Sequence, residues 1–263
     1  MEVSYDGCLT DEDIKRFGND PAARFRENLQ ELQERILVCA QSNSRQSQEV
    51  RLLPVTKTVP GHILRFGFAA GIRAFGENKI QEALQKQDIL SDLDIDWTVI
   101  GHLQSNKAKH LIRFASEFHA LDSLKLAHEL NRRLTASNRT LKVYIQVNTS
   151  GEPSKYGLQP DELLPFLERL HEYPQLKPQG LMTLAVFDPD RVRVRECFRR
   201  LRLLRDNAIS IHKEIKGLSM GMSGDFEIAI AEGATVVRIG QAIFGTRPSG
   251  GAVYWPGYVG SPS

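Results

Sequence analysis

The chain has 263 residues, 34 Lys+Arg against 32 Asp+Glu and a formal charge of +2, and 41% of it is hydrophobic. That composition belongs to a globular protein with a real core and excludes a disordered, fibrous or coiled-coil chain; the length suits one large domain or two small ones. Because the charges nearly cancel, there is no electrostatic case for nucleic acid or an acidic membrane surface as the main partner.

Residues 1–19 read as a polar N-terminal leader with early acids and no apolar h-region. Asn19-Asp20-Pro21 then supplies an N-cap and a proline at the first helical position, and Phe25, Leu29, Leu32 and Ile36 recur at helical spacing. Val50-Lys57 is short and apolar and reads as a buried strand, although Pro54 removes one ladder donor. Seven more strands are expected at Arg73-Asn78, Asp96-Leu103, Glu117-Asp122, Lys142-Asn148, Pro178-Ala185, Gly217-Met222 and Thr235-Gly245. Helical patterns open after Pro60 and near Lys79, Ser105, Ser123, Pro160, Pro189 and Ser223.

Strict alternation of strand and helix means a parallel sheet with right-handed crossovers, and eight such units in so short a chain favour a closed (β/α)8 TIM barrel. The expected organisation is a single barrel over residues 20–247, with the extra N-terminal helix packed where an eighth helix would otherwise sit. A flexible Gly/Pro/Ser tail is expected over 248–263. Cys8, Cys39 and Cys197 are odd in number, far apart and without a CxxC pair. They argue for a reducing compartment and against a disulfide framework or zinc knuckle. With no run of 18 apolar residues, the expectation is a cytoplasmic protein with no membrane span, and a monomer, since no apolar seam is evident.

Barrel active sites form at the carboxyl ends of the strands. Lys57 closes the first strand, where desolvation would favour the neutral amine that condenses with aldehydes; the alternative is a rim lysine reaching for solvent. The run Ser219-Met220-Gly221-Met222-Ser223-Gly224-Asp225 follows the seventh strand. Ser223 is expected to cap the next helix, with N–H groups of Ser223 and Gly224 facing out as an anion site that Gly240 of the eighth strand completes. A lysine with a phosphate cradle fits either a class I aldolase acting on a sugar phosphate or a protein that binds pyridoxal 5′-phosphate (PLP). His102 reads as a rim histidine or a proton carrier. No HExxH or similar cluster points to a metal. The arginine-rich run Arg191-Arg202 reads as the solvated face of a helix whose Val194, Phe198 and Leu201 point inward.

Five segments in order carry a family resemblance: Leu53-Pro54-Val55-Thr56-Lys57-Thr58, Phe75-Gly76-Glu77-Asn78-Lys79-Ile80-Gln81-Glu82, Ile100-Gly101-His102-Leu103-Gln104-Ser105-Asn106-Lys107, Leu218-Ser219-Met220-Gly221-Met222-Ser223 and Val237-Arg238-Ile239-Gly240-Gln241-Ala242-Ile243-Phe244-Gly245. Together they resemble the PLP homeostasis protein family, whose fold is similar to the N-terminal barrel of alanine racemase. The resemblance implies a Schiff base on Lys57, phosphate contacts from Ser223, Gly224 and Gly240, Arg238 against the pyridine nitrogen, and Asn78 beside the ring. It also implies a non-catalytic carrier that hands PLP to PLP-dependent apoenzymes. Pro54 stands where that family more often has Ala, Gly224 where many members have an acid, and the leader is longer than usual. Because arginine keeps its proton, the ring nitrogen would stay unprotonated and the cofactor would be a weak electron sink. The competing reading is a PLP-dependent amino-acid racemase; the 18 residues after Gly245 are too few for the second domain such enzymes need.

Overall fold

A computed structural model describes residues 9–246. The tail expected over 248–263 and Cys8 lie outside these described residues. Within the leader, Asp11–Phe17 forms helix α1. Thr10 caps it by accepting from the Asp13 N–H, while the Asp13 carboxylate accepts from the Thr10 N–H, a reciprocal pairing that satisfies donors at the helix start. Phe17 at its end is buried edge-on against Phe25, so this part of the leader belongs to the core.

Helix α2 (Pro21–Ser42) starts at the Asp20 cap and buries Phe25, Leu32, Ile36 and Ala40. Then come β1 (Arg51–Pro54), α3 (Gly61–Ala69), β2 (Ala74–Glu77), α4 (Ile80–Ile89), β3 (Asp96–Val99), α5 (Ala108–Phe114), β4 (Ala115–Leu121) and α6 (Leu124–Ala136). The chain continues through β5 (Leu141–Gln146), α7 (Leu163–Leu170), β6 (Leu176–Met182), α8 (Arg191–Ile209), β7 (Gly217–Ser219), α9 (Phe226–Ala231), β8 (Val236–Ile239) and α10 (Gln241–Phe244). The eight strands form one parallel sheet in the order β1-β8-β7-β6-β5-β4-β3-β2. A parallel bridge between Val55 and Gly76, with the Thr56 N–H donating to Gly76 O at 2.9 Å, joins its two ends into the expected barrel.

All eight expected strands are present. Both faces of a barrel strand are covered, which is why β7 and β8 are buried at every position. Pro54 occupies the last position of β1, where its missing donor costs least, and the ladder resumes with the Val55 N–H on Ile239 O. The stretch expected as one strand over Thr235-Gly245 is corrected: β8 stops at Ile239, and residues 241–244 turn into α10, with Gly240 at its N-cap. Helix α2 packs against α3, α9 and α10, which is the place of the eighth helix. Among the described residues no helix is long and apolar enough to cross a membrane.

Candidate functional site

At the carboxyl end of the barrel lies a cavity of about 410 Å³. Lys57, Asn78, Ser223, Arg238 and Gly240 all line it, so the folded chain brings together residues from the ends of β1, β2, β7 and β8. Gly224 is not among the lining residues. Arg16 from α1, Lys155 from the loop after β5, and Phe187 from the loop after β6 also line it.

Lys57 does not sit in β1 itself but in the turn three residues beyond Pro54, half-buried between two constrained threonines. Thr56 is buried, and its hydroxyl donates to Glu77 Oε1 at 2.5 Å. Thr58 has φ +66°, a left-handed backbone that is strained for a β-branched residue. Its N–H donates to Glu82 Oε1 at 2.7 Å and its carbonyl accepts from Arg16 Nη1 at 2.8 Å. One ammonium ties both threonines together. Lys86 Nζ, almost wholly buried, donates to Thr56 O, Glu77 Oε1 and Glu82 Oε1 at 2.6–2.7 Å. Burial raises the Glu77 carboxyl above its usual range, against the pull of the Lys86 charge, and Glu77 Oε2 has no partner among the described residues. A lysine on the inner face of α4, three residues after buried Ala83, is the sequence signal for this brace.

The loop after β7 is held by Asp225. Its Oδ1 accepts from the Met222 N–H at 2.6 Å, and the Asp225 and Phe226 N–H groups return to Met222 O. Asp225, not Ser223, is the N-cap position of α9, which corrects the expected cap by two residues. Ser223 is buried in the turn, and neither its N–H nor that of Gly224 donates to any described residue. Gly240 faces this turn across the cavity. A Cβ there would lie 2.6 Å from Val55 O, so only glycine lets β8 end this close to β1.

Arg238 is buried at the cavity wall; Nη1 donates to Ser219 Oγ at 2.9 Å and Nη2 to Thr183 O at 2.8 Å. Desolvation lowers it to about 10, with the charge of Asp225 working the other way, and it remains cationic at neutral pH. Burial in turn raises Asp225 to about 6. Behind Arg238 a polar row crosses the barrel: Ser219 Oγ lies 2.9 Å from His119 Nδ1, His119 Nε2 lies 3.0 Å from Glu117 Oε2, and Arg51 pairs with Glu117 at 2.5 Å. Burial pushes His119 down to about 4, keeping it neutral. Burial alone would raise Glu117, but hydrogen bonds from His119 and Arg51 hold it at about 2. Glu117 and His119 alternate along β4, a polar i, i+2 pair in a buried strand that marks an inward-facing row.

His102 lies outside this cavity, with Nδ1 3.2 Å from Asp122 and its ring stacked on Tyr156 at 3.8 Å. Most of the arginine run is paired within the chain. Arg193 pairs with Asp188, Arg195 and Arg202 both pair with Glu232, and Arg200 donates to Thr149 O. Among the described residues no group of three His, Cys, Asp or Glu side chains could hold a metal.

An eight-stranded barrel with this strand-end cavity is the N-terminal domain architecture of alanine racemase, and the sequence matches that domain family over residues 22–248. The chain is 42% identical to the pyridoxal phosphate homeostasis protein of Pseudomonas aeruginosa, over 85% of this chain and 96% of that one. It is 41% identical to the protein of the same name from Aquifex aeolicus, over 84% and 97%. The structure of PipY from Synechococcus elongatus with PLP bound superposes with a TM-score of 0.74 at 33% identity, covering 84% of this chain and all of PipY. The chain belongs to the pyridoxal phosphate homeostasis protein family.

Proposed function

We propose that this chain binds PLP and serves intracellular PLP homeostasis as a carrier with no catalytic turnover of its own. The observation that carries this reading is one cavity lined together by Lys57, Ser223 of the turn after β7, Arg238 and Gly240. The fit rests on the chain's own groups. The undonated N–H of Ser223 and the close backbone at Gly240 would make a phosphate cradle of the kind backbone amides build, with Gly224 next in the turn but outside the cavity lining. Lys57 would hold the aldehyde as a Schiff base. Arg238, fixed by Ser219 and Thr183, would present a cation to the ring nitrogen, and Asn78 would stand beside the ring.

When bound, PLP supplies an electrophilic aldehyde that amines take up and release reversibly. The residues around it favour holding over turnover. Among the described residues that line the cavity there is no His, Tyr, Cys, Asp or Glu to exchange a proton across a substrate carbon from Lys57. The ammonium of Lys155 is tied to Ala185 O and Glu152. This disfavours the racemase reading, and relatives named for homeostasis rather than racemisation support the same choice. PLP-dependent apoenzymes are then the acceptors.

Absorbance of the protein titrated with PLP, before and after borohydride, tests the proposal. The expected result is a yellow complex, a pyridoxyl group on Lys57 in the peptide map, and no deuterium exchange at the α carbon of added alanine. A colourless protein, or exchange at racemase rates, overturns it.

A further inference from the structure

A second cavity of about 480 Å³ opens beside the first. Asn78, Ile100, Lys155 and Leu184 line both, so the two are chambers of one cleft. The wall between them depends on Gly101, where a Cβ would fall 2.0 Å from Asn78 O and 2.8 Å from Asn78 Oδ1. Only glycine allows Asn78 to stand where it faces both chambers. PLP in the first chamber leaves the second without an occupant.

Its lining is cationic. Lys79, Lys107 and Lys155 contribute to it, and no Asp or Glu does so among the described residues. Lys155 is paired with Glu152, but neither Lys79 nor Lys107 has an ion pair among the described residues. The first turn of α4 also opens here. Lys79, Ile80 and Gln81 line the chamber, and the helix has no side-chain cap for its leading N–H groups. The acid of that same turn, Glu82, is turned the other way, committed to Lys86 and the Thr58 N–H. The remaining acid nearby, Asp122, is held by His102, whose ring stacks on Tyr156 to form a flat side wall. Ile80, Ile100, Leu103 and Leu184 give the chamber an apolar flank, and Gln81, Gln104 and Gln146 supply amides.

We infer that this second chamber is a binding site for a small carboxylic acid, its carboxylate among Lys79, Lys107 and the α4 N-terminus and its carbon body against the apolar flank. The inference rests on the PLP reading only for the loaded state of the first chamber. A carboxylate suits the site better than bare phosphate, because spaced side-chain ammonium groups and an apolar wall match an organic acid. The backbone-amide cradle in the first chamber is what suits a phosphate. An acid held there would lie against Asn78 and Lys155, the polar residues that line both chambers.

The test uses the PLP-loaded protein and succinate, which carries two carboxylates and no amine that could react with an aldehyde. Titration calorimetry, with amide shifts by NMR, should show saturable binding with shifts at Lys79, Ile80 and Gln81. Lys79→Gln combined with Lys107→Gln should weaken it by about tenfold or more, with the PLP absorbance unchanged. Gln81→Glu, an exposed change that adds a repelling charge, should weaken it too. Absence of saturable succinate binding, equal affinity in the lysine double variant, or binding of inorganic phosphate but not succinate overturns the inference. If the protein takes up no PLP, absorbance shows that failure by itself, and the same succinate titration on the unloaded protein still decides the second chamber.

Discussion

His119 reaches Arg238 through a single hydroxyl: Ser219 Oγ stands 2.9 Å from His119 Nδ1 and 2.9 Å from Arg238 Nη1. Arg238 can only donate, so Ser219 accepts from it and has its own proton left for the neutral imidazole. His119 then carries its hydrogen on Nε2, toward Glu117. Ser219→Ala leaves two buried polar atoms, His119 Nδ1 and Arg238 Nη1, without partners. The expected loss is about 1–3 kcal/mol for each stranded group in urea unfolding, with weaker PLP retention because Arg238 is held only by Thr183. Wild-type stability in the alanine variant would mean the row has other support.

The same row predicts acid lability. His119 sits at about 4 in the folded chain against 6.5 when free, so below pH 6.5 the unfolded chain takes a proton that the folded one refuses. Glu117 sits at about 2 against 4.5, which extends the loss from pH 4.5 downward. Stability should therefore be full above pH 6.5 and fall through pH 4. The histidine contribution is about 3 kcal/mol. His119→Gln, which keeps hydrogen-bonding atoms but cannot titrate, should flatten the limb between pH 6.5 and 4.5 in denaturant titrations at stepped pH.

Lys86→Met should be among the most damaging single changes outside the cavity. It leaves Glu77 buried with no cation and releases Thr56 and Thr58 on either side of Lys57. The expected cost is about 3–5 kcal/mol. The sign of its pH dependence is diagnostic. Glu77 already titrates above its free value, so its contribution is present below the usual carboxylate range and is lost as pH rises. Without Lys86 this loss should deepen, and adding Glu77→Gln should restore much of it. A variant whose stability is flat from pH 4 to 8 would place the cost elsewhere.

The barrel was legible because each unit carries its own period. Phe25, Leu32 and Ile36 mark the outer helix, and the fully buried strands read as apolar runs. The boundaries that failed did so for local reasons. Residues 241–244 look as apolar as a strand, but the chain leaves the sheet at Gly240, the N-cap of α10. Ser223 has the chemistry of a cap, but the Asp225 carboxylate holds the Met222 N–H and the cap falls two residues further on. Loop position and family motifs point to Lys57, Asn78, Ser223, Gly224, Arg238 and Gly240, and all of these but Gly224 line one cavity. Arg16 was invisible because nothing in a polar leader says that it folds back onto the barrel mouth. The Lys86 brace and the Ser219–His119 row are long-range partnerships, and a single sequence shows their members but not their pairing.

Ser223→Asp should weaken PLP retention. The turn offers N–H donors with no acceptor among the described residues, and a carboxylate placed there would compete for those donors and repel a phosphate. Ser223 is buried, so the new charge also costs folding stability, and the comparison with Ser223→Ala separates the two effects. The alanine variant should fold normally and bind PLP moderately less well, the aspartate variant much less well. Equal affinities by equilibrium dialysis would remove the cradle from the site.

Lys57→Ala tests the residue on which the PLP reading depends. The side chain is half-buried on a cavity wall and lies outside the packed core, so its truncation creates no new void and the barrel should still fold. The brace on either side uses the backbone and side chains of Thr56 and Thr58, not Lys57, so the turn should keep its shape. With the amine gone, the yellow complex and the borohydride-stable adduct should both disappear. The Ser223 turn, Gly240 and Arg238 remain, so PLP should still bind, more weakly and reversibly, and quench protein fluorescence in dialysis-reversible fashion. Lys155 lines the same cavity, and Lys79 and Lys107 line its neighbour. A variant that stays yellow, with reduction labelling one of those three, would move the covalent site from the turn after β1 to the loop that carries the labelled lysine.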